Sequence, residues 1–258
     1  MPTALDHPAV TQALFHPRPD PRQFVDTPKG TMLIPAGRGV MIGGRSHLVS
    51  RQAPTLLFFH GNGEIVSDYD DLAPLYGSIG INFTAVDYRG YGRSTGKPSA
   101  STMLSDAHTC LDFVRRLLEA NGFGGPLVVM GRSLGSACAL ELAANATGHV
   151  DGLILESAFA QSLPLLRLLG VPVEELGLDE SQAFCNLDKA AAWTGPLLVI
   201  HAERDQLIPM GNGLALHEAS PSTDKRLLAI PDAGHNDILL HGLRPYMEAV
   251  KDLCTTFG

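Results

Sequence analysis

The sequence predicts an α/β fold, a mostly parallel central sheet with helices on both faces. Three observations predict it. Short runs of almost wholly apolar residues recur, such as Thr55–His60 (TLLFFH). These runs alternate with stretches whose apolar residues fall at helical spacing. Loops rich in glycine and in chemically active side chains follow several of the runs. A strand buried on both faces needs apolar residues throughout, and alternation with helices gives βαβ units with parallel strands. Ligands of such sheets bind beyond the carboxyl ends of the strands, so chemistry is to be sought in those loops.

Residues 1–30 are rich in proline and carry few periodic apolar positions, which predicts an irregular N-terminal arm. Thr31–Ala36 and Val40–Arg45 flank Gly37-Arg38-Gly39, a hairpin signal. The strand Thr55–His60 ends at Gly61, and Glu64–Tyr76 has helical spacing. Asn82–Asp87 is the next strand. In Thr102–Glu119, residues Met103, Ala107, Cys110, Leu111, Val114 and Leu118 share one helical face. Leu127–Met130 is a strand, Leu134–Ala144 a helix of small residues, and Gly152–Leu155 a strand. Leu197–Ile200, Gly211–Ala219 and Arg226–Ile230 read as strand, helix and strand, and residues 243–254 close with a helix.

Residues 158–194 break this rhythm. They begin at a strand's carboxyl end, so a small cap insertion over the site is expected; an ordinary crossover helix with a long loop is the alternative. Leu163, Leu165, Leu166, Leu168 and Leu169 could line an acyl pocket from that cap or form a helix's buried face. Residues 1–258 are otherwise expected to form a single domain.

Composition narrows the function classes. With 45% hydrophobic and 18% charged residues among 258, the chain can bury a sizeable core. A net charge of −8 argues against nucleic acid or an anionic membrane as main partner. The four cysteines form no CxxC pair, which suits a reducing compartment. The first ten residues have neither a basic nor an apolar leader segment, and no stretch reaches the roughly 18 apolar residues of a membrane span. A cytoplasmic location, with no integral membrane span, is therefore expected.

Four motifs carry chemistry. Gly131-Arg132-Ser133-Leu134-Gly135 sits where a strand (PLVVM) meets a helix (SACALELAA). A sharp turn there exposes a serine hydroxyl, and the glycines let backbone segments pass closely. The bare pattern is weak, and its placement supplies most of the weight; a helix-capping serine in a tight turn is the bland alternative. His60-Gly61-Asn62-Gly63 follows the TLLFF strand. Its backbone can offer an N–H group to the negative oxygen of a tetrahedral intermediate, with Asn62 and Leu134 as the two donors. His60 reads as an anchor for this loop. Asp205 follows the LLVI strand and suits the acid that orients a histidine, with Glu203 and Glu156 as other candidates. His235, one of ten histidines, follows the last strand and suits the general base. The chain order Ser133, Asp205, His235 is the one expected of a nucleophile elbow on such a sheet. Asp87–Ser94 (DYRGYGRS) is expected to be a structural loop packing behind the elbow, and Ser94 lacks an elbow context.

Together HGNG, DYRGYGRS, GRSLG, ERDQLIP and PDAGHND, in this order, resemble the α/β-hydrolase family. The nearest likeness is to its small esterases and its depalmitoylase-like and serine-peptidase-like members. The resemblance runs from about residue 30 to the end and implies an α/β-hydrolase fold. It implies Ser133, Asp205 and His235 as the triad and Asn62 with Leu134 as the oxyanion hole. Ala202 departs from the glycine common there, which touches loop shape rather than the acid.

The expected function is hydrolysis of carboxylic esters of short-to-medium acyl chain through an acyl-enzyme intermediate, on a small-molecule acyl substrate. A thioesterase or peptidase on the same triad is the alternative, and a non-catalytic binding protein on a hydrolase fold is a more distant one. No cofactor or metal is required: His201, Glu203, Asp205 and His235 match no usual ligand spacing.

Overall fold

In the computed structural model, residues 3–22 and 29–257 are described. The strands are β1 (Thr31–Pro35), β2 (Met41–His47), β3 (Thr55–Phe59), β4 (Asn82–Val86), β5 (Leu127–Arg132), β6 (Gly152–Glu156), β7 (Leu197–Ala202) and β8 (Lys225–Ile230). They form one sheet in the order β1-β2-β4-β3-β5-β6-β7-β8. β1 and β2 are an antiparallel hairpin, β2 is antiparallel to β4, and β3 to β8 run parallel. The helices are α1 (Pro8–Leu14), α2 (Ala73–Ser78), α3 (Ala100–Ala120), α4 (Ser136–Asn145), α5 (Ser162–Leu168), α6 (Asn186–Ala192), α7 (Gly211–Ala219) and α8 (Ile238–Thr255). This is the α/β-hydrolase fold that the motifs imply.

All five residues of β3 are buried, because both faces of the sheet are covered. Strand geometry sends alternate side chains to opposite faces. Leu57 and Phe59 join one core with α3 and α4, while Leu56 and Phe58 join a second with α2 and α8. Val129 against Val128 and Met130, and Val199 against Leu198 and Ile200, divide in the same way. The sheet is thus the wall between two apolar layers, which fixes the strand ends in space. Strand order reverses where β3 lies between β4 and β5, so the loops after β3 and β5 meet at a topological switch point.

Three elements differ from expectation: the arm, the stretch Glu64–Tyr76 and the last helix. The arm expected to be irregular contains α1, with Pro8 at its first position and the His7 ring accepting the Ala9 N–H at 3.3 Å. Pro19 bridges to Gly92, and Arg18 donates to the Gly63 carbonyl at 2.7 Å. The rest of the arm, residues 1, 2 and 23–28, lies outside the described residues. Glu64–Tyr76 is a 3₁₀ turn (Val66–Tyr69) followed by α2, because the Asp68 carboxylate takes the Ile65 N–H and Pro74 opens a new helix. The last helix begins at Ile238 rather than 243, with a kink at Gly242. A Cβ there would meet Ile230 Cδ1 at 2.7 Å, so the glycine permits the close crossing over β8. Within residues 158–194, α6 packs on α4 and α7 as the crossover helix before β7, while the short α5 touches α1 of the arm.

Candidate active site

β5 ends at Arg132, and the chain turns sharply at Ser133 into a 3₁₀ turn (Ser133–Gly135) and then α4. Ser133 has φ +51°, a left-handed conformation that costs a non-glycine residue roughly 1–2 kcal/mol. The two glycines explain how the turn closes. A Cβ on Gly131 would lie 2.3 Å from the Gly135 carbonyl oxygen, and one on Gly135 would lie 2.1 Å from that of Phe59. The elbow is therefore pressed against the end of β3, and only glycine fits at either side.

The His235 ring reaches this serine from the loop after β8. His235 Nε2 is 3.1 Å from Ser133 Oγ, and His235 Nδ1 is 2.7 Å from Asp205 Oδ2. The other Asp205 oxygen accepts the N–H groups of Leu207 and Ile208 at 3.0 and 2.8 Å. Burial pushes the Asp205 pKa up, but the His235 and Ile208 hydrogen bonds and the neighbouring imidazoles outweigh it and hold it below the usual carboxylate range. Residues brought together from β5, β7 and β8 thus form one hydrogen-bonded line.

The other candidate acids lie elsewhere. Glu203 is exposed. Glu156 is buried, receives Arg132 Nε at 3.1 Å and the Tyr246 hydroxyl at 2.7 Å, and has its pKa raised by burial against the pull of Arg132. His201 is buried and donates Nε2–H to the Ile208 carbonyl at 2.8 Å; burial lowers its pKa, so the ring braces the acid loop as a neutral group.

Asn62 is half-buried in the loop after β3, and Leu134 follows the serine. Among the described residues, no hydrogen bond takes up the N–H of either. The Asn62 side chain is tied down: its Oδ1 accepts the Tyr91 hydroxyl at 2.8 Å and the His16 N–H at 2.9 Å, and its Nδ2 lies 2.7 Å from His16 Nδ1. His60 is fully buried against Tyr88 and Tyr91, and the Tyr88 hydroxyl donates to its carbonyl at 2.6 Å. Asp87–Ser94 therefore packs on the His60–Gly63 loop, and Ser94 accepts the Gly43 N–H at 2.8 Å. The tie between Asn62 and His16 is not legible in the sequence, since partners so far apart in the chain leave no local signal.

The fold, the strained serine between two indispensable glycines, and the linked histidine and carboxylate define an α/β hydrolase, and the chain belongs to the α/β-hydrolase family. The family described as "Serine aminopeptidase, S33" matches residues 50–176. The chain is similar to alpha/beta hydrolase domain-containing protein aho-3 of Caenorhabditis elegans, 31% identical over 206 residues, covering 76% of this chain and 56% of that protein. Alpha/beta hydrolase domain-containing protein 17C of Mus musculus is 32% identical over 202 residues, covering 76% and 58%. The matched stretch thus spans little more than half the length of these relatives. Among solved structures, Est1E from Butyrivibrio proteoclasticus aligns with a TM-score of 0.68 at 17% identity, covering 87% of this chain and 97% of that one, a likeness of fold.

Proposed function

We propose that the chain is a serine hydrolase that cleaves carboxylic esters of short-to-medium acyl chain. One observation carries this reading: the continuous hydrogen-bonded line from Ser133 Oγ through the His235 ring to Asp205 Oδ2, at 3.1 and 2.7 Å. At rest the serine hydroxyl donates to His235 Nε2, and Nδ1–H donates to Asp205. His235 takes the proton as Ser133 Oγ attacks the acyl carbon, and the carboxylate stabilises the imidazolium. The N–H groups of Asn62 and Leu134 hold the oxyanion. Collapse expels the alcohol with the proton from His235, leaving an acyl-serine. Water then attacks this ester, passes a proton to His235, and the acid departs as Ser133 regains its hydrogen.

The acyl chain is assigned to an apolar cavity of about 280 Å³ between α5 and the acid loop. Phe159, Leu165 and Leu168 face Leu207 and Ile208 there, the last two being the residues whose N–H groups hold Asp205. A larger cavity of about 850 Å³ opens by Thr31, His47 and Phe123, at the opposite ends of the parallel strands, and is not assigned to substrate. The described lining of the smaller cavity contains no carboxylate to receive a peptide's α-ammonium group, which favours an ester over an aminopeptidase substrate. Residues 158–194, with α5 beside the cavity, would act as the cap, with a cytoplasmic location the expected setting.

Parallel assays with p-nitrophenyl esters of two to twelve carbons (about that range), acyl thioesters and aminoacyl amides test the assignment. Esters of short to medium chain are expected to be cleaved fastest. Preferential cleavage of aminoacyl amides or thioesters would replace the esterase assignment.

A further inference from the structure

Arg132 immediately precedes the nucleophile, and its side chain is only 11% exposed. Its guanidinium touches four partners. Nη1 pairs with Glu64, Nε donates to Glu156 at 3.1 Å, and Nη2 donates to the His235 carbonyl at 2.8 Å and to Asn236 Oδ1 at 3.0 Å. Glu64 in turn accepts the Gly61 N–H at 2.7 Å and the Tyr69 hydroxyl at 2.5 Å. On the other side, Glu156 takes the hydroxyl of Tyr246 on α8. The chain of contacts therefore runs from the backbone of the His60–Gly63 loop, through Glu64 and Arg132, to the backbone of the histidine loop.

We propose that Arg132 is a positioning residue that fixes the oxyanion loop and the His235 loop relative to Ser133; the inference rests on the serine-hydrolase reading above. A rigid planar fork with five donors is suited to holding several acceptors at set angles, which a lysine's point charge is not. The packing agrees: a Cβ on Gly61 would lie 2.7 Å from Arg132 Nη1 and 3.0 Å from Glu64 Oε2, so the loop lies directly on the ion pair. The contact at His235 is to its carbonyl, which sets the backbone and leaves the ring to Asp205 and Ser133. Arg132 stays charged, because its two carboxylates outweigh the cost of burying it.

The test uses the full chain with Arg132→Lys, Arg132→Met and Asn236→Ala, and Glu64→Gln as the variant that keeps the arginine. Three quantities are read: kcat and KM for p-nitrophenyl butyrate, the rate at which a fluorophosphonate labels Ser133, and the thermal midpoint. For folded Arg132 variants, kcat and the labelling rate are expected to fall about 10–100-fold, as a misplacement of about 1 Å can do. KM is expected to stay within about threefold. Lysine is expected to rescue folding better than methionine without restoring kcat, and Asn236→Ala, which removes a single contact, is expected to cost less than about threefold. If neither Arg132 variant folds, Glu64→Gln decides, with labelling slowed about tenfold. Wild-type labelling and kcat in a folded Arg132 variant, or in Glu64→Gln where it decides, would overturn the proposal alone. A wild-type chain that resists labelling would overturn the triad reading and this proposal together.

Discussion

His235 Nδ1 lies 2.7 Å from one oxygen of Asp205, whose other oxygen is already occupied by two backbone N–H groups. The carboxylate is thus oriented by its own loop before it orients the ring. In Asp205→Asn the Leu207 and Ile208 N–H groups would still require the amide oxygen, turning the amide NH₂ toward His235 Nδ1. The imidazole would then carry its proton on Nε2 and be unable to accept one from Ser133. A loss of kcat of about 10³–10⁴ is expected, with a folded chain. Ester turnover together with a thermal melt checks it, and a loss below about tenfold would contradict it.

Backbone strain at the elbow gives a prediction separable from chemistry. Both Ser133→Gly and Ser133→Ala remove the hydroxyl, but only glycine relieves φ +51°. Ser133→Gly is expected to be the more stable of the two inactive variants by about 1 kcal/mol in urea unfolding. The reverse order would mean that the elbow carries no strain.

Glu141 on α4 joins three helices: it lies 3.2 Å from His108 on α3 and 2.7 Å from Lys189 on α6. The His108 hydrogen bond, against the effect of burial and with help from Lys189, lowers its pKa from 4.5 to about 2. A carboxylate whose pKa is depressed on folding contributes stability above its unfolded value, and loses it as pH falls through the folded value. Glu141→Gln is expected to cost about 1 kcal/mol at neutral pH, allowing for solvent screening. Wild type and variant should converge between pH 4.5 and about 2. Urea unfolding across that range checks it; a constant gap would contradict it.

Leu168 is 59% exposed and lines the smaller cavity, so it can be enlarged with little damage to the core. Leu168→Trp is expected to lower kcat/KM for octanoate esters about tenfold and leave acetate esters within about twofold. Equal effects on both would remove the cavity from the acyl site.

The legible parts of the molecule were those in which one stretch of sequence carries the whole physical cause. TLLFF reads as a strand because both of its faces are buried. GRSLG reads as an elbow because close backbone passage requires both glycines. What stayed hidden depends on partners distant in the chain. Nothing near Arg132 announces Glu64, Glu156 and the His235 carbonyl, and nothing near Asn62 announces His16. α1, with seven residues, is too short for its apolar spacing to stand out. In the same way, Glu64–Tyr76 keeps a helical apolar pattern although the Asp68 side chain and Pro74 divide it.

The proposed function stands or falls on Ser133 being an activated nucleophile. The most direct measurement is fluorophosphonate labelling of the folded chain, followed by intact mass and peptide mapping. One adduct is expected, on the peptide carrying Ser133, absent from heat-denatured protein and from Ser133→Ala, which should also have lost ester hydrolysis. Absence of an adduct on the folded wild type, or full esterase activity in Ser133→Ala, would contradict it.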